Sequence, residues 1–287
     1  MISELAFAPP VGTPAGVEVL SLADLRARVG PGRLAEPNRH DFHVLLTLTE
    51  GSLWQTVDFA EYTLHPGSWL WIRPGQVHQW GDVTRAAGTL ILFERDFPDP
   101  ATAAAAGLDD PYAPVVRTPA GDDIDALHDA AHHLEREFHA AMRMPVDIHV
   151  MVLRHLLDVL VLRLAHLTWP VDVPAPAPGS AYLRFRDAVE RDFARTRRLA
   201  DYARALGYSA RTLSRATLTA AGVGAKEFID RRVVLEASRL LAHSDLSAAR
   251  IAAQLGFSSA TNFSKFFQQR TGQTPIAFRH SARGTGE

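Results

Sequence analysis

The sequence predicts a two-domain chain: a β-rich N-terminal half that closes as a sandwich or barrel and is followed by helices, then an all-α C-terminal half built on two helix-turn-helix units. Three observations carry this. Short apolar stretches broken by Pro and Gly turns fill Arg39–Phe93. One pattern of about 30 residues occurs twice after residue 180. Charge divides at the same place, with 12 basic against 23 acidic residues before position 180 and 18 against 9 from there on, within a net charge of −2. A basic half attached to an acidic one is what nucleic-acid binding by one end requires.

At 287 residues with 47 % hydrophobic content, the chain can bury two cores. It has no cysteine, which excludes disulfides, thiolate metal sites and cysteine nucleophiles. No apolar run approaches the ~18 residues of a membrane span. The opening MISELAFAPP carries acid rather than base and no secretory apolar core. A soluble cytoplasmic protein without a membrane partner is expected.

Residues 1 to about 38 are rich in Pro, Gly and Ala, and only Leu22–Val29 has a helical pattern, so an arm or loosely organised edge is expected. Phe42, Val44, Leu46 and Leu48 then alternate with His43, Leu45, Thr47 and Thr49 up to the turn at Glu50-Gly51. Leu53–Phe59, Glu61–Leu64, Ser68–Ile72 and Thr89–Phe93 follow as strands. Asp96–Pro119 reads as loop. Asp122–Ala141 reads as a helix with Ile124, Leu127, Ala131, Leu134 and Phe138 on one side. Pro145 opens a second helix to about Leu167, striped by Ile148, Val152, Leu156, Val159 and Leu160. Such a pair suits a lid or a dimer seam. His128, His132 and His139 share a face with Glu135. The i, i+4 pair has zinc-ligand spacing, but no complete ligand set accompanies it, so it reads as a solvent-facing stripe and no metal or cofactor is expected.

Thr168–Ser180, TWPVDVPAPAPGS, bars helix and favours an extended spacer. The predicted domains are therefore 1–168 and 181–287, joined by a Pro-rich linker at 169–180. Ala181–Phe193 and Leu199–Leu206 are helical, and Ala225–His243 is one long helix with Phe228, Ile229, Val233, Ala237, Leu240 and Leu241 turned towards its neighbours.

The repeat lies on either side of that helix. Leu206-Gly207-Tyr208-Ser209 matches Leu255-Gly256-Phe257-Ser258 at an offset of 49, and Leu213-Ser214-Arg215 matches Phe263-Ser264-Lys265 at 50. The second copy therefore has one additional residue at the start of its outer helix, where Ser258 or Ser259 supplies the cap. Gly222, Ala225 and Phe228 match Gly272, Pro275 and Phe278 at the longer offset. In Ile251–Arg279, Phe263, Phe266 and Phe267 form an apolar stripe, while Thr261, Asn262, Ser264, Lys265 and Gln268 leave a face of small polar and basic groups. Such a face suits a DNA major groove.

At these residues the C-terminal half resembles the AraC/XylS family of transcriptional regulators. The family implies seven helices in this half; the long helix Ala225–His243 would hold the two units in a fixed relation, so that recognition helices on the order of 34 Å apart could enter successive major grooves. By motif position it implies DNA contacts from Arg211, Thr212, Ser214 and Arg215 in the first unit and from Ser259, Thr261, Asn262 and Lys265 in the second. The sequence departs from the family at Thr217 and Leu218, which replace a phenylalanine and a basic residue.

His40-Asp41-Phe42-His43 and the run from Gly67 to His78 resemble the cupin-like sensor domain of such regulators, so the N-terminal half is expected to be a cupin-like β-barrel with following helices. His78 matches the histidine of the second cupin motif. His40 and His43 are three apart, and on a strand that spacing points them to opposite faces. No metal is expected for this reason. His78, with Trp69 or Trp71, Trp80 and His43, is the candidate effector site. Alternation leaves open which tryptophan faces inward and whether the interior is a pocket or a filled core.

Together the resemblances imply a non-enzymatic transcriptional regulator in a bacterial cytoplasm, associated with the nucleoid. Its partners would be double-stranded promoter DNA, a small-molecule effector, RNA polymerase and a second copy of the chain. A cupin metal enzyme, or a purely dimerising barrel, fused to the same DNA-binding half are the alternatives.

Overall fold

The computed structural model describes residues 3–9, 16–108, 110, 113–140, 144–167 and 180–283. They fall into two compact units, one ending at residue 175 and the other beginning at 176. Each is described by itself.

The first unit runs β1 (Ser3–Leu5), β2 (Val17–Ser21), α1 (Leu22–Val29), α2 (Pro31–Leu34), β3 (Asn38–His40), β4 (His43–Glu50), β5 (Leu53–Val57), β6 (Ala60–Leu64), β7 (Trp69–Ile72), β8 (Val77–Trp80), β9 (Ala87–Phe93), α3 (Pro100–Ala106), β10 (Val116–Arg117), α4 (Asp122–His139) and α5 (Val146–His166). Two five-stranded sheets form, in the orders β1-β3-β8-β5-β6 and β10-β7-β4-β9-β2. All the pairings are antiparallel except β1 with β3.

The second sheet is buried on both faces. Val44, Leu46, Leu70, Ile72 and Leu90 face the interior between the sheets, where they meet Leu53, Val57 and Trp80. Leu45, Trp69, Trp71, Ile91 and Phe93 face the helices and meet Leu134, Leu153, Leu157 and Leu164. Two buried faces explain why Trp69–Ile72 is a continuous apolar run.

Three expectations need correction. Residues 17–34 are no loose edge: β2 pairs with β9 from Val17↔Phe93 to Ser21↔Thr89, and Val17, Val19, Leu20 and Leu22 are buried. Ser21 then starts α1 through a capping box with Asp24. Asp96–Pro119 contains α3, which Asp99 caps and Pro100 opens, and β10, which pairs with β7. On α5 the buried side is Leu153, Leu157, Leu160, Val161 and Leu164, whereas Ile148 and Val159 are 44 % and 47 % exposed. That helix is apolar nearly all round, so periodicity could not select its inner face. Ile124 likewise lies outside the buried side of α4, which is Leu127, Ala131 and Leu134. The predicted linker at 169–180 lies outside the described residues except for Ser180, whose side chain accepts from the Leu183 amide.

The second unit has seven helices among the described residues: α6 (Ala181–Asp192), α7 (Leu199–Leu206), α8 (Ala210–Ala221), α9 (Ala225–His243), α10 (Ala248–Gln254), α11 (Ala260–Thr271) and α12 (Pro275–Arg283). α9 touches each of the other six. Its Phe228, Ile229, Val233, Ala237 and Leu241 share a core with Phe185, Leu213, Ile251, Phe263 and Phe267. No helix among the described residues is long and apolar enough to cross a membrane.

Candidate nucleic-acid interface and barrel site

The two helix-turn-helix units repeat in their hydrogen bonds as well as their residues. After α7 the Tyr208 amide donates to the Ala203 carbonyl at 2.9 Å, and after α10 the Phe257 amide donates to Ala252 at 2.8 Å. Ser209 caps α8 by accepting from the Thr212 amide at 3.0 Å. Ser259 caps α11 by accepting from the Asn262 amide at 3.1 Å, which identifies Ser258 as the inserted residue. Both turns place glycine in the left-handed region, at φ 70° for Gly207 and 68° for Gly256. A Cβ on Gly256 would also lie 2.4 Å from the Ala194 carbonyl oxygen, while Gly207 faces open space.

α8 buries Leu213 and Thr217, and α11 buries Phe263 and Phe267. This leaves Arg211 and Arg215 exposed on α8, with Thr212 and Ser214 half-buried beside them. On the second unit Ser259, Thr261, Asn262 and Lys265 are exposed. Neither helix has an acid in its first turn. Among the described residues Arg211, Arg215 and Lys265 have no ion-pair partner, whereas Arg270 at the end of α11 and Lys226 and Arg232 on α9 are neutralised by acids. Arg270 binds Glu227 at 2.5 Å and also Asp230, which Lys226 bonds as well. Arg232 binds Glu190 at 2.8 Å. Unpaired positive charge is thus present on both outer helices, where a phosphate backbone would use it.

The departure at Thr217 has a local explanation. Thr217 is fully buried and donates through Oγ1 to the Leu213 carbonyl at 2.8 Å, in the place Phe267 takes in the second unit. Leu218 is 58 % exposed.

In the first unit the five effector candidates divide between two faces. His78 and Trp80 lie on the inner face of the first sheet, their rings 5.9 Å apart. His43, Trp69 and Trp71 face the helices instead. Trp71 Nε1 donates to His43 Nδ1 at 3.3 Å, and His43 stacks on Phe93 with ring centroids 4.7 Å apart. β4 places His43 outward because Val44 and Leu46 take the interior side. His40, three residues earlier, is on the inner side, edge-on to His78 at 4.4 Å.

A cavity of about 260 Å³ opens beside His40, lined by Trp80, Phe42, Val44 and Leu90 and by the Glu18–Arg28 pair, which is 2.6 Å long. Trp80 is the one member of the five that lines it. Glu18, Arg28 and His40 were not singled out as effector residues, and only the cupin-like motif pointed towards His40. Burial brings the His40 pKa down to about 4. It also holds His43 and His78 well below the usual histidine range, with the Arg73 and Arg95 charges adding to the effect on His43 and His40 to that on His78.

Trp69 lines a different cleft of about 330 Å³, between Thr47 and Thr89 on the sheet and Ile124, His128, His132 and Glu135 on α4. His132 is 4.0 Å from Glu135, and its ring stacks with that of His128. Among the described residues no group of three His, Cys, Asp or Glu side chains is arranged to hold a metal ion.

Comparison with known proteins agrees with this division. Residues 25–144 match the family model of the AraC-like ligand binding domain, and residues 202–281 match that of a helix-turn-helix domain. Over these two stretches the chain is similar to AraC-family regulators. Among its AraC-family relatives, the regulatory protein PocR of Salmonella typhimurium is 43 % identical over 58 residues, covering 20 % of this chain and 19 % of PocR. The HTH-type transcriptional regulator RipA of Corynebacterium glutamicum is 34 % identical over 113 residues, 39 % of this chain and 34 % of RipA. The matches therefore span between a fifth and about a third of these relatives. The crystal structure of ToxT from Vibrio cholerae O395 aligns over 87 % of this chain and 92 % of its own, at 14 % identity and a TM-score of 0.42.

Proposed function

We propose that this chain is an AraC-family, sequence-specific transcriptional regulator that binds promoter DNA through α8 and α11. The observation that carries this is the repeated helix-turn-helix geometry, with exposed, unpaired Arg211, Arg215 and Lys265 on the two outer helices. Arg215 suits guanine through its bidentate fork, and Asn262 suits adenine. α9 packs against both outer helices and keeps them in a fixed relation. The first unit binds a small effector, whose influence comes from binding one arrangement of the protein better than another.

The exposed Ile148, Met151 and Val159 along α5 support pairing with a second copy. Contact with RNA polymerase and a cytoplasmic, nucleoid-associated location complete the reading, in which the chain has no catalytic role. Selection of bound sequences from a genomic fragment library tests it. A shared motif with two half-sites about one DNA turn apart supports it, and binding without sequence preference sinks it.

A further inference from the structure

The interior of the first unit combines an apolar cavity with polar groups that lack partners. Its walls are largely aliphatic and aromatic, and β1 and the residues after it contribute to them. Two features of its polar lining restrict what can enter.

The first is charge. Glu18 is buried, and its carboxylate is bound to the Arg28 guanidinium at 2.6 Å. An anionic ligand that drew Arg28 away would leave a buried carboxylate without its counter-ion. His40, held neutral by burial, adds no charge at neutral pH. Glu36, an exposed residue of the lining, adds a second carboxylate, so the wall offers an anion no spare positive charge.

The second is hydrogen bonding. Among the described residues, His40 Nδ1 and both amide atoms of Gln55 are buried without a hydrogen-bond partner, and the His78 ring, whose polar neighbour is the Gln76 backbone, is buried beside them. These residues are neighbours on the inner face of the first sheet. Val57 pairs with His78, Gln55 pairs with Trp80, and His40 meets His78 ring to ring at 4.4 Å. Three such atoms in one patch are unusual, because buried polar groups are nearly always satisfied. His40 and Trp80 connect the patch to the cavity wall.

We infer that the effector is a mostly apolar small molecule without negative charge, carrying one hydroxyl or carbonyl group, which engages the His40, His78 and Gln55 patch through His40, the member of the three that lines the cavity. The inference rests on the effector-binding role proposed above. At about 260 Å³ the cavity is below the ~300–1,000 Å³ common for drug-sized ligands, which favours a single ring or a short chain.

The test uses the full chain and three probes with the same phenylbutyl frame: 4-phenyl-1-butanol, 4-phenylbutanoate and butylbenzene. Calorimetric or fluorescence titration at pH 7.5 should show the alcohol binding at least tenfold more tightly than the carboxylate, and more tightly than the hydrocarbon. His40→Phe keeps an aromatic ring against Phe42 and should remove the advantage of the alcohol over butylbenzene. Gln55→Leu should reduce the same advantage, and it carries the comparison if His40→Phe does not fold. Equal or tighter binding of the carboxylate overturns the inference, as does an alcohol advantage unchanged in both variants or no binding of any probe at millimolar concentration. DNA binding by the same preparation is measured in parallel. If it persists when the probes fail, this inference alone is wrong; if it is absent while the alcohol binds, the regulator reading is wrong.

Discussion

Asn262 Nδ2 donates to Ser258 Oγ at 2.8 Å, so the one residue by which the second helix-turn-helix unit exceeds the first restrains the side chain best suited to reading adenine. The insertion thus lengthens the turn and also orients an exposed amide. In the first unit Ser209 caps α8 by accepting from the Thr212 amide, and its hydroxyl also shares a 2.8 Å hydrogen bond with the Thr212 hydroxyl.

Asn262→Ala should therefore relax sequence preference at one position of the operator, with a loss of roughly 1–3 kcal/mol of discrimination there. Ser258→Ala, which removes only the restraint, should cost less at the same position. Competition binding against single-base operator variants checks both. Equal discrimination at every position in Asn262→Ala would remove Asn262 from the readout.

The two turn glycines should respond differently to alanine. Gly207→Ala meets the left-handed backbone penalty of roughly 1–2 kcal/mol and nothing else. Gly256→Ala meets that penalty and also a carbonyl oxygen 2.4 Å from the new Cβ, so it should be clearly more destabilising. Chemical denaturation followed by helical circular dichroism measures the difference. Equal losses would mean that α10 and the segment at Ala194 separate at little cost.

The first unit should lose stability in acid. His40 titrates near 4 when folded and near 6.5 when unfolded, so between those values the unfolded chain holds the extra proton. The contribution is complete above 6.5, falls as pH drops towards 4, and amounts to about 3 kcal/mol at 1.36 kcal/mol per pH unit. His43 and His78, lowered by the same burial, act in the same direction. All five tryptophans precede residue 176, so tryptophan fluorescence follows this unit selectively. Its unfolding temperature should fall from pH 6.5 to 4.5, and His40→Phe should make the fall shallower.

Met151→Glu with Val159→Glu should convert a dimer to a monomer at micromolar concentration while the fold is kept, because both side chains are about half exposed on α5. Sedimentation measures the mass. A dimer that survives both charges would move the interface away from α5.

How much of this was legible in the sequence varied with how local each signal was. The helix-turn-helix repeat was legible because glycine, cap and apolar stripe recur at fixed offsets, and each has a local physical cause. α1 was readable from Leu22–Val29, but β2 was not: Val17–Leu20 is four residues long and gains meaning only from its pairing with β9. The barrel candidates split because a sheet buried on both faces shows no alternation, and Trp69 and Trp71 resemble pocket residues as much as core. Glu18 and Arg28 meet across ten residues through a strand-to-helix turn, a relation that spacing alone does not show.

The central claim is that α8 and α11 read DNA together. Fluorescence anisotropy of a selected operator fragment, titrated with the full chain and with Arg215→Ala and Lys265→Ala over a range of salt concentrations, tests it most directly. The account predicts that each variant loses roughly 1–3 kcal/mol of operator affinity if its side chain contacts a base. A variant whose side chain contacts only phosphate should instead bind all sequences more weakly, with a shallower salt slope. Unchanged affinity and an unchanged salt slope in both variants would contradict it.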